Sequence, residues 1–179
     1  MEVLAAIWFL LPAGLANMAP VVVAYFLPAY NLPVDFGRSL RGRRLFGSHK
    51  TWRGLIAGVV VAFLAFALQK LLYEQLPVVR AISRFDYASA SPFIGIGMGV
   101  AALGGDLIKS LFKRQVDIQP GQPWFPFDQC DWLIGVLAFA SIFTSLSIVS
   151  VAFIFLVGFA LHLLSHFLGY VVGLNSTRI

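Results

Sequence analysis

The chain has 179 residues, of which 59% are hydrophobic and only 12% charged, and its formal net charge is +5. This composition excludes a water-soluble domain, because such domains are about half apolar and about a quarter charged. At roughly 20 residues per membrane span, we expect one all-α integral membrane bundle of about five transmembrane helices. We expect it to form a single domain over residues 1–179 with no separate soluble part.

The first uncharged run, Val3 to Val34, predicts the first span. It begins after acidic Glu2 and lacks a basic n-region, so a cleavable signal peptide is not expected. The run carries Pro12, Pro20 and Pro28 around Asn17. They leave two alternatives, a kinked helix or two half-spans, and we favour the kinked helix. Asn17 either hydrogen-bonds to another helix or contacts a substrate.

A polar segment from Gly37 to Gly54 follows, with six cations in the sixteen residues from Arg38 to Arg53. Basic residues of this kind either set membrane topology or bind phosphate groups. The spacing of Gly42 and Gly47 is similar to a Walker A loop, but the lysine is misplaced and no strand precedes it. Three residues at the entry of span two are expected to meet aspartates further along the chain. These are Lys50, Thr51 and Arg53.

Uncharged runs from Gly54 to Gln69 and from Ala88 to Gly105 predict spans two and three. Both basic clusters, Arg38 to Arg53 and Lys109 to Arg114, then fall on one side of the membrane, which the positive-inside rule makes cytoplasmic. With five spans, the N-terminus is outside and the C-terminus, with Arg178, is cytoplasmic. The outer loop carries three cations. These are Lys70, Arg80 and Arg84.

The second polar segment, Gly104 to Asp131, contains the carboxylates of interest. If span three continues as a helix, four residues at steps of three or four share one face, and these are Asp106, Lys109, Ser110 and Lys113. A charged aspartate at the end of a span requires a cation, and Lys109 or Lys113 is the simplest partner.

Asp128 and Asp131 begin span four and lie on one side of a helix, three residues apart. The two carboxylates repel each other unless one is protonated or a cation, either a lysine or Mg²⁺, lies between them. The alternative is that they only cap the first turn of the helix. The run from Trp132 to Thr177 predicts two helices in a hairpin. Its two histidines, His162 and His166, are expected to bond between helices and not to bind metal.

Two motifs resemble those of the CDP-diacylglycerol synthases. Lys50-Thr51-Trp52-Arg53-Gly54 is similar to the Lys-Thr-x-x-Gly motif of that family. Gly105-Asp106, Ser110 and Lys113-Arg114 are similar to its Gly-Asp-x-x-x-Ser-x-x-Lys-Arg core. Asp117, Pro126 and the pair Asp128 and Asp131 follow in the order that the family shows. Together the motifs are a specific signal.

The chain departs from the bacterial and eukaryotic pattern before and within the aspartate pair. Those members usually carry His-Gly-Gly before the pair and an arginine inside it, where this chain has Trp124-Phe-Pro-Phe and Gln129-Cys130. The short five-span layout and the Asp-Gln-x-Asp form are more similar to the archaeal branch, the CDP-archaeol synthases. The resemblance covers most of the chain from Asn17 onward.

The resemblance implies a nucleotidyltransferase that converts CTP and an ether-linked geranylgeranyl glycerol phosphate to CDP-archaeol and pyrophosphate. It implies Mg²⁺ held by Asp106, Asp128 and Asp131. The other residues with an implied catalytic role are Lys109, Lys113 and Arg114. The residues expected to bind substrate are Asn17, Lys50, Thr51, Arg53, Ser110 and Asp117.

Three alternatives have different consequences. A phosphatidate cytidylyltransferase would take a diacyl lipid instead of the ether lipid, and a groove between apolar helices does not separate the two from sequence. A small membrane transporter would need polar residues along its whole path, whereas these gather at one surface. A CDP-alcohol phosphotransferase would carry an Asp-Gly-x-x-Ala-Arg signature, which the sequence lacks. No nucleic-acid partner is expected.

Overall fold

The fold is given by a computed structural model, which describes residues 2–83 and 85–171. Within these ranges the chain forms six helices and one short β-hairpin. The helices are α1 (Glu2–Phe26), α2 (Trp52–Gln75), α3 (Pro77–Ile82), α4 (Ile94–Gln115), α5 (Phe127–Phe143) and α6 (Ile148–Val171). The hairpin consists of β1 (Ser39–Leu40) and β2 (Arg43–Arg44), which pair antiparallel.

The predicted all-α membrane bundle is confirmed. Among the described residues, α1, α2, α4 and α6 are long and apolar enough to cross a membrane. The helix α5 has 17 residues and is about 26 Å long, which is at the lower end of what a span requires. The predicted hairpin of two helices after Trp132 is also confirmed, since α5 ends at Phe143 and α6 begins at Ile148. Arg84 and Arg178 lie outside the described residues.

The first span is one continuous helix. Pro12 and Pro20 lie inside α1, and Pro28 follows its end at Phe26, so the alternative of two half-spans is excluded. The buried face of α1 consists mostly of alanines, including Ala13 and Ala16. Because small residues let helix backbones approach closely, α1 can pack tightly within lipid.

Glycines set the spacing between neighbouring helices. A methyl group on Gly58 of α2 would lie 2.7 Å from the carbonyl oxygen of Ala16 in α1. A methyl group on Gly105 of α4 would collide with the carbonyl oxygen of Asp131 in α5, and one on Gly135 of α5 would collide with that of Ala101. The backbones of α4 and α5 are therefore in direct contact at the point where the candidate site begins.

The loop between α3 and α4 folds back on the bundle, and Lys70, which the sequence placed in the outer loop, lies inside α2. Its Tyr87 is buried against Phe66 and Tyr73, with ring centroids 5.4 Å and 5.7 Å away. The Lys70 ammonium donates to the carbonyls of Tyr87 and Ala88, which ties the loop to α2. This end of the bundle is thus closed by aromatic packing, and the carboxylates and lysines of interest lie at the other end.

Candidate active site

The basic segment between α1 and α2 folds around the buried carboxylate of Asp35. This carboxylate accepts hydrogen bonds from the guanidinium of Arg44 and from the backbone N–H groups of Gly37, Phe46 and Gly47. Burial alone would raise the pKa of Asp35, but these donors together hold it well below the ordinary value. Sequence reasoning missed Asp35, although an aspartate two residues before a glycine is a turn signal.

Replacing Asp35 with asparagine is expected to loosen this segment. The amide loses the charge-assisted bonds and leaves buried donors without an acceptor, at a cost of about 1–3 kcal/mol. Folding lowers the pKa of Asp35, so the carboxylate contributes its full stabilisation of the fold above the pKa of the unfolded chain, about 3.9. That stabilisation is lost as the pH falls below this value. The measurement is the rate of trypsin cleavage within residues 38–53 of Asp35→Asn in detergent, which should rise several-fold.

Asp86→Asn is the matched control, because Asp86 caps a turn in the loop at the opposite end of the bundle. It should leave cleavage within residues 38–53 unchanged. A cleavage rate in Asp35→Asn equal to that of the unmodified protein would show that the carboxylate does not organise the segment.

The hairpin and a backbone hydrogen bond between Val34 and Lys50 fix the position of Lys50. Arg41 and Gly42, at the turn of the hairpin, both have positive φ, as a two-residue type I′ turn requires. The Val34 N–H donates to the Lys50 carbonyl at 2.8 Å, and Thr51 caps the first turn of α2 by accepting from the Gly54 N–H. Lys50 is therefore held at the entry of α2, where the sequence placed it.

The last turns of α4 present one polar face, as predicted. Asp106, Lys109, Ser110 and Lys113 are buried or nearly so, whereas Ile108 and Phe112, on the opposite side, are more than half exposed. This difference follows from the helical repeat, which places residues three and four apart on the same side. The helix α4 thus presents apolar side chains to the lipid on one side and polar side chains to the interior of the bundle on the other.

The Lys109 ammonium lies at the centre of three carboxylates. Its Nζ is 3.1 Å from Asp106 Oδ1, 2.8 Å from Asp128 Oδ1 and 2.8 Å from Asp131 Oδ2. This arrangement explains how two aspartates three residues apart coexist at the start of α5. A cation lies between them, which is one of the alternatives that the sequence left open, and in this structure it is a lysine.

Two further lysines complete the cluster. Lys50 Nζ is 2.5 Å from Asp106 Oδ2, so the first polar segment meets the second, as expected. Arg53, which was also expected to meet an aspartate, donates instead to the Leu27 carbonyl, and Thr51 caps α2. Lys113 Nζ is 3.0 Å from both oxygens of Asp128 and 2.6 Å from the Gln122 carbonyl. Three lysines therefore balance three partly buried carboxylates, and no charge of the cluster is left without a partner of opposite sign.

A cavity of about 710 Å³ opens beside this cluster and contains most of the predicted site. The predicted residues that line it are Asn17, Lys50, Thr51, Arg53, Asp106, Lys109, Asp128 and Asp131. Pro20, Val21 and Ala24 of α1 give the cavity an apolar wall. The cavity therefore combines charged groups with a surface suited to hydrocarbon.

Four predicted residues do not line this cavity. Ser110 is buried within α4, and Lys113 lies behind Asp128. Arg114 and Asp117 line a separate cleft of about 270 Å³ beside the hairpin. Conversely, the cavity includes residues that the sequence did not single out, namely Asn31, Ser48 and His49, and also His162, which was expected only to bond between helices.

No set of three or more His, Cys, Asp and Glu side chains within residues 2–83 and 85–171 is arranged to hold a metal ion as it stands. The three carboxylates share Lys109 instead. Their chemistry nevertheless fits the expected ion, because carboxylate oxygens are the hard ligands that Mg²⁺ prefers.

The fold and site define an intramembrane enzyme, with a charged site at one end of an all-α bundle. The chain belongs to the CarS-like, CDP-archaeol synthase family, whose profile matches residues 1–178. It is therefore a cytidylyltransferase of archaeal membrane lipid synthesis, as the motifs indicate.

Relatives and a solved structure agree with this assignment. The chain is 37% identical over 139 residues to the CDP-archaeol synthase of Pyrococcus furiosus, covering 77% of this chain and 75% of that one. It is 34% identical over 172 residues to that of Thermococcus onnurineus, covering 96% and 94%. A solved intramembrane enzyme for archaeal membrane lipid biosynthesis is 29% identical with a TM-score of 0.71, covering 89% and 91% of the two chains.

Proposed function

We propose that this chain transfers a cytidylyl group from CTP to an ether-linked geranylgeranyl glycerol phosphate. A phosphate oxygen of the lipid attacks the α-phosphorus of CTP, the bond to the β-phosphate breaks, and pyrophosphate leaves. The observation that carries the proposal is the cavity, which is lined both by Lys50, Arg53 and Lys109 and by apolar residues of α1. A lipid phosphate at the membrane surface needs cations to bind its phosphate group and an apolar surface to contact its hydrocarbon chains.

The side chains can supply what phosphoryl transfer requires. Charge spreads over the phosphoryl oxygens in the transition state, so positioned cations stabilise it. Lys50 and Arg53 line the cavity at the entry of α2 and would offset the charge of the phosphates. No general base is needed, because a phosphate monoester is already largely dianionic near neutral pH, its second pKa being about 6.

Mg²⁺ would be held by Asp106, Asp128 and Asp131, which now surround Lys109. When bound, the ion would act as a Lewis acid that neutralises charge on the triphosphate oxygens. Lys113 would keep Asp128 in place, since it bonds both oxygens of that carboxylate.

The test is an assay of the purified protein with Mg²⁺, CTP and either an ether-linked or an ester-linked glycerol phosphate lipid. We expect a CDP-lipid and pyrophosphate with the ether lipid. Product from the ester lipid alone would support a phosphatidate cytidylyltransferase instead. Absence of product with both lipids would refute the proposed reaction, and ion flux without CTP consumption would support a transporter.

The orientation in the membrane is also proposed. The positive-inside rule places the site and the basic segment in the cytoplasm and the N-terminus outside. Trypsin added to sealed inverted vesicles should therefore cleave within residues 38–53, and trypsin added to right-side-out vesicles should not. The reverse pattern would show that the active site faces outward.

A further inference from the structure

The cleft beside the hairpin is bounded by the two polar segments of the chain. The first contributes Arg43, Arg44 and Ser48, and the second contributes Arg114 and Asp117. Ser48 lines both this cleft and the main cavity. A ligand whose phosphates lie in the main cavity can therefore extend into the cleft with another part.

Arg114 is the cation of this cleft with donors to spare. Its Nε and Nη1 atoms are buried and have no hydrogen-bond partner among the described residues. The other arginines are already engaged: Arg43 donates to the Gln115 carbonyl and to Asp117, and Arg44 donates to Asp35. A buried guanidinium with unmade hydrogen bonds favours a ligand that brings acceptors.

Asp117 gives the cleft a hydrogen-bond acceptor of opposite charge. Its side chain is 64% exposed, and its carboxylate bonds to Arg43 through Oδ2. A carboxylate repels phosphate oxygens, so the pairing of Arg114 with Asp117 does not suit a phosphate group. It suits a neutral group that carries both acceptors and a donor.

Cytosine is such a group. Its Watson–Crick edge offers the acceptors O2 and N3 next to the amino group N4, for which Asp and Glu are the usual acceptors, whereas uracil carries the acceptor O4 in place of N4. Arg114 can donate to the acceptors, and Asp117 can accept from N4. Uracil in the same position would set O4 against the carboxylate.

We propose that this cleft receives the base of the nucleotide and that Arg114 and Asp117 select cytosine over uracil. The inference rests on the proposed function, because it assigns the base of the same nucleotide whose phosphates lie in the main cavity. Arg43, by bonding to both Gln115 and Asp117, holds the hairpin against the end of α4 and so keeps the cleft formed.

The test compares the binding of CTP, UTP and inorganic tripolyphosphate to the full chain in detergent with Mg²⁺, by calorimetry. In Asp117→Asn, CTP should bind more weakly and UTP more tightly, so that the preference for CTP falls about tenfold or more. The asparagine amide can turn its NH₂ group toward O4. Binding of tripolyphosphate, which has no base, should not change.

Other outcomes would overturn the proposal. If Asp117 faced the phosphates, Asp117→Asn would tighten the binding of all three ligands. If it were only structural, CTP and UTP would weaken equally. The substitution suits the backbone, because Asp117 has a φ of 62°, a conformation that asparagine tolerates as well as aspartate.

Arg114→Lys gives an independent measurement should Asp117→Asn fold poorly. It keeps the charge but removes the planar donors, so the preference for CTP over UTP should fall while tripolyphosphate binding is kept. An unchanged preference would overturn the proposal. The proposed function is tested separately: if the unmodified chain makes CDP-lipid but neither variant alters the base preference, only the cleft assignment fails.

Discussion

Asp131→Asn is expected to lower Mg²⁺-dependent pyrophosphate release by about 10²–10³-fold. The Asp131 side chain is only 4% exposed, and its Oδ2 is 2.8 Å from the Lys109 ammonium. The substitution conserves shape but removes one of the three negative charges that would hold the cation. The measurement is steady-state pyrophosphate release with saturating CTP and ether lipid.

Asp86→Asn is again the matched control, because it removes a carboxylate at the far end of the bundle and should leave turnover unchanged. Both proteins should keep the elution profile of the unmodified chain, which shows that they are folded. Turnover of Asp131→Asn within a few-fold of the unmodified chain would refute the metal assignment to this carboxylate.

Gly105→Ala is expected to destabilise the bundle and to inactivate the site together. The added methyl group would collide with the Asp131 carbonyl oxygen, so α4 and α5 must move apart or rotate. Overpacking of this kind costs about 1–3 kcal/mol, and a shift of 1 Å at catalytic groups lowers rates by about 10²-fold. The measurements are the thermal melting temperature in detergent and pyrophosphate release.

The neighbouring glycine provides the control. A methyl group on Gly104 meets nothing within 4 Å, so Gly104→Ala should keep activity. It should also be slightly more stable, because alanine is favoured over glycine within a helix by about 0.5–1 kcal/mol. Equal behaviour of the two variants would show that close contact of α4 with α5 does not position the aspartates.

The sequence predicted the part of the site that depends on local periodicity. Asp106, Lys109 and Lys113 follow the helical repeat of one segment, and Asp128 and Asp131 follow that of another. The sequence left protonation, a lysine or Mg²⁺ as ways to relieve the repulsion between the last two carboxylates, and the structure places Lys109 between them. The motif that begins with Lys50 likewise lies where its position beside a span implied.

Tertiary packing decided the features that the sequence did not predict. Asp35 collects donors that are two to twelve residues away, so no helical or strand repeat marks it. Tyr87 is buried only because the outer loop folds back on α2. Arg114 and Asp117 line a cleft separate from the main cavity because of how the hairpin packs against the end of α4. Neither of the two segments specifies this packing alone.

The hydrogen bonds around Asp35 have a consequence for the thermodynamics of nucleotide binding. A segment rich in glycine and arginine would lose much conformational entropy if it became ordered only on contact with its ligand. Here the ordering of Gly37, Arg44 and Gly47 is completed during folding, through one buried side chain. In the proposed reaction, the segment would meet the nucleotide as a preorganised surface, and more of the interaction energy would remain available as affinity.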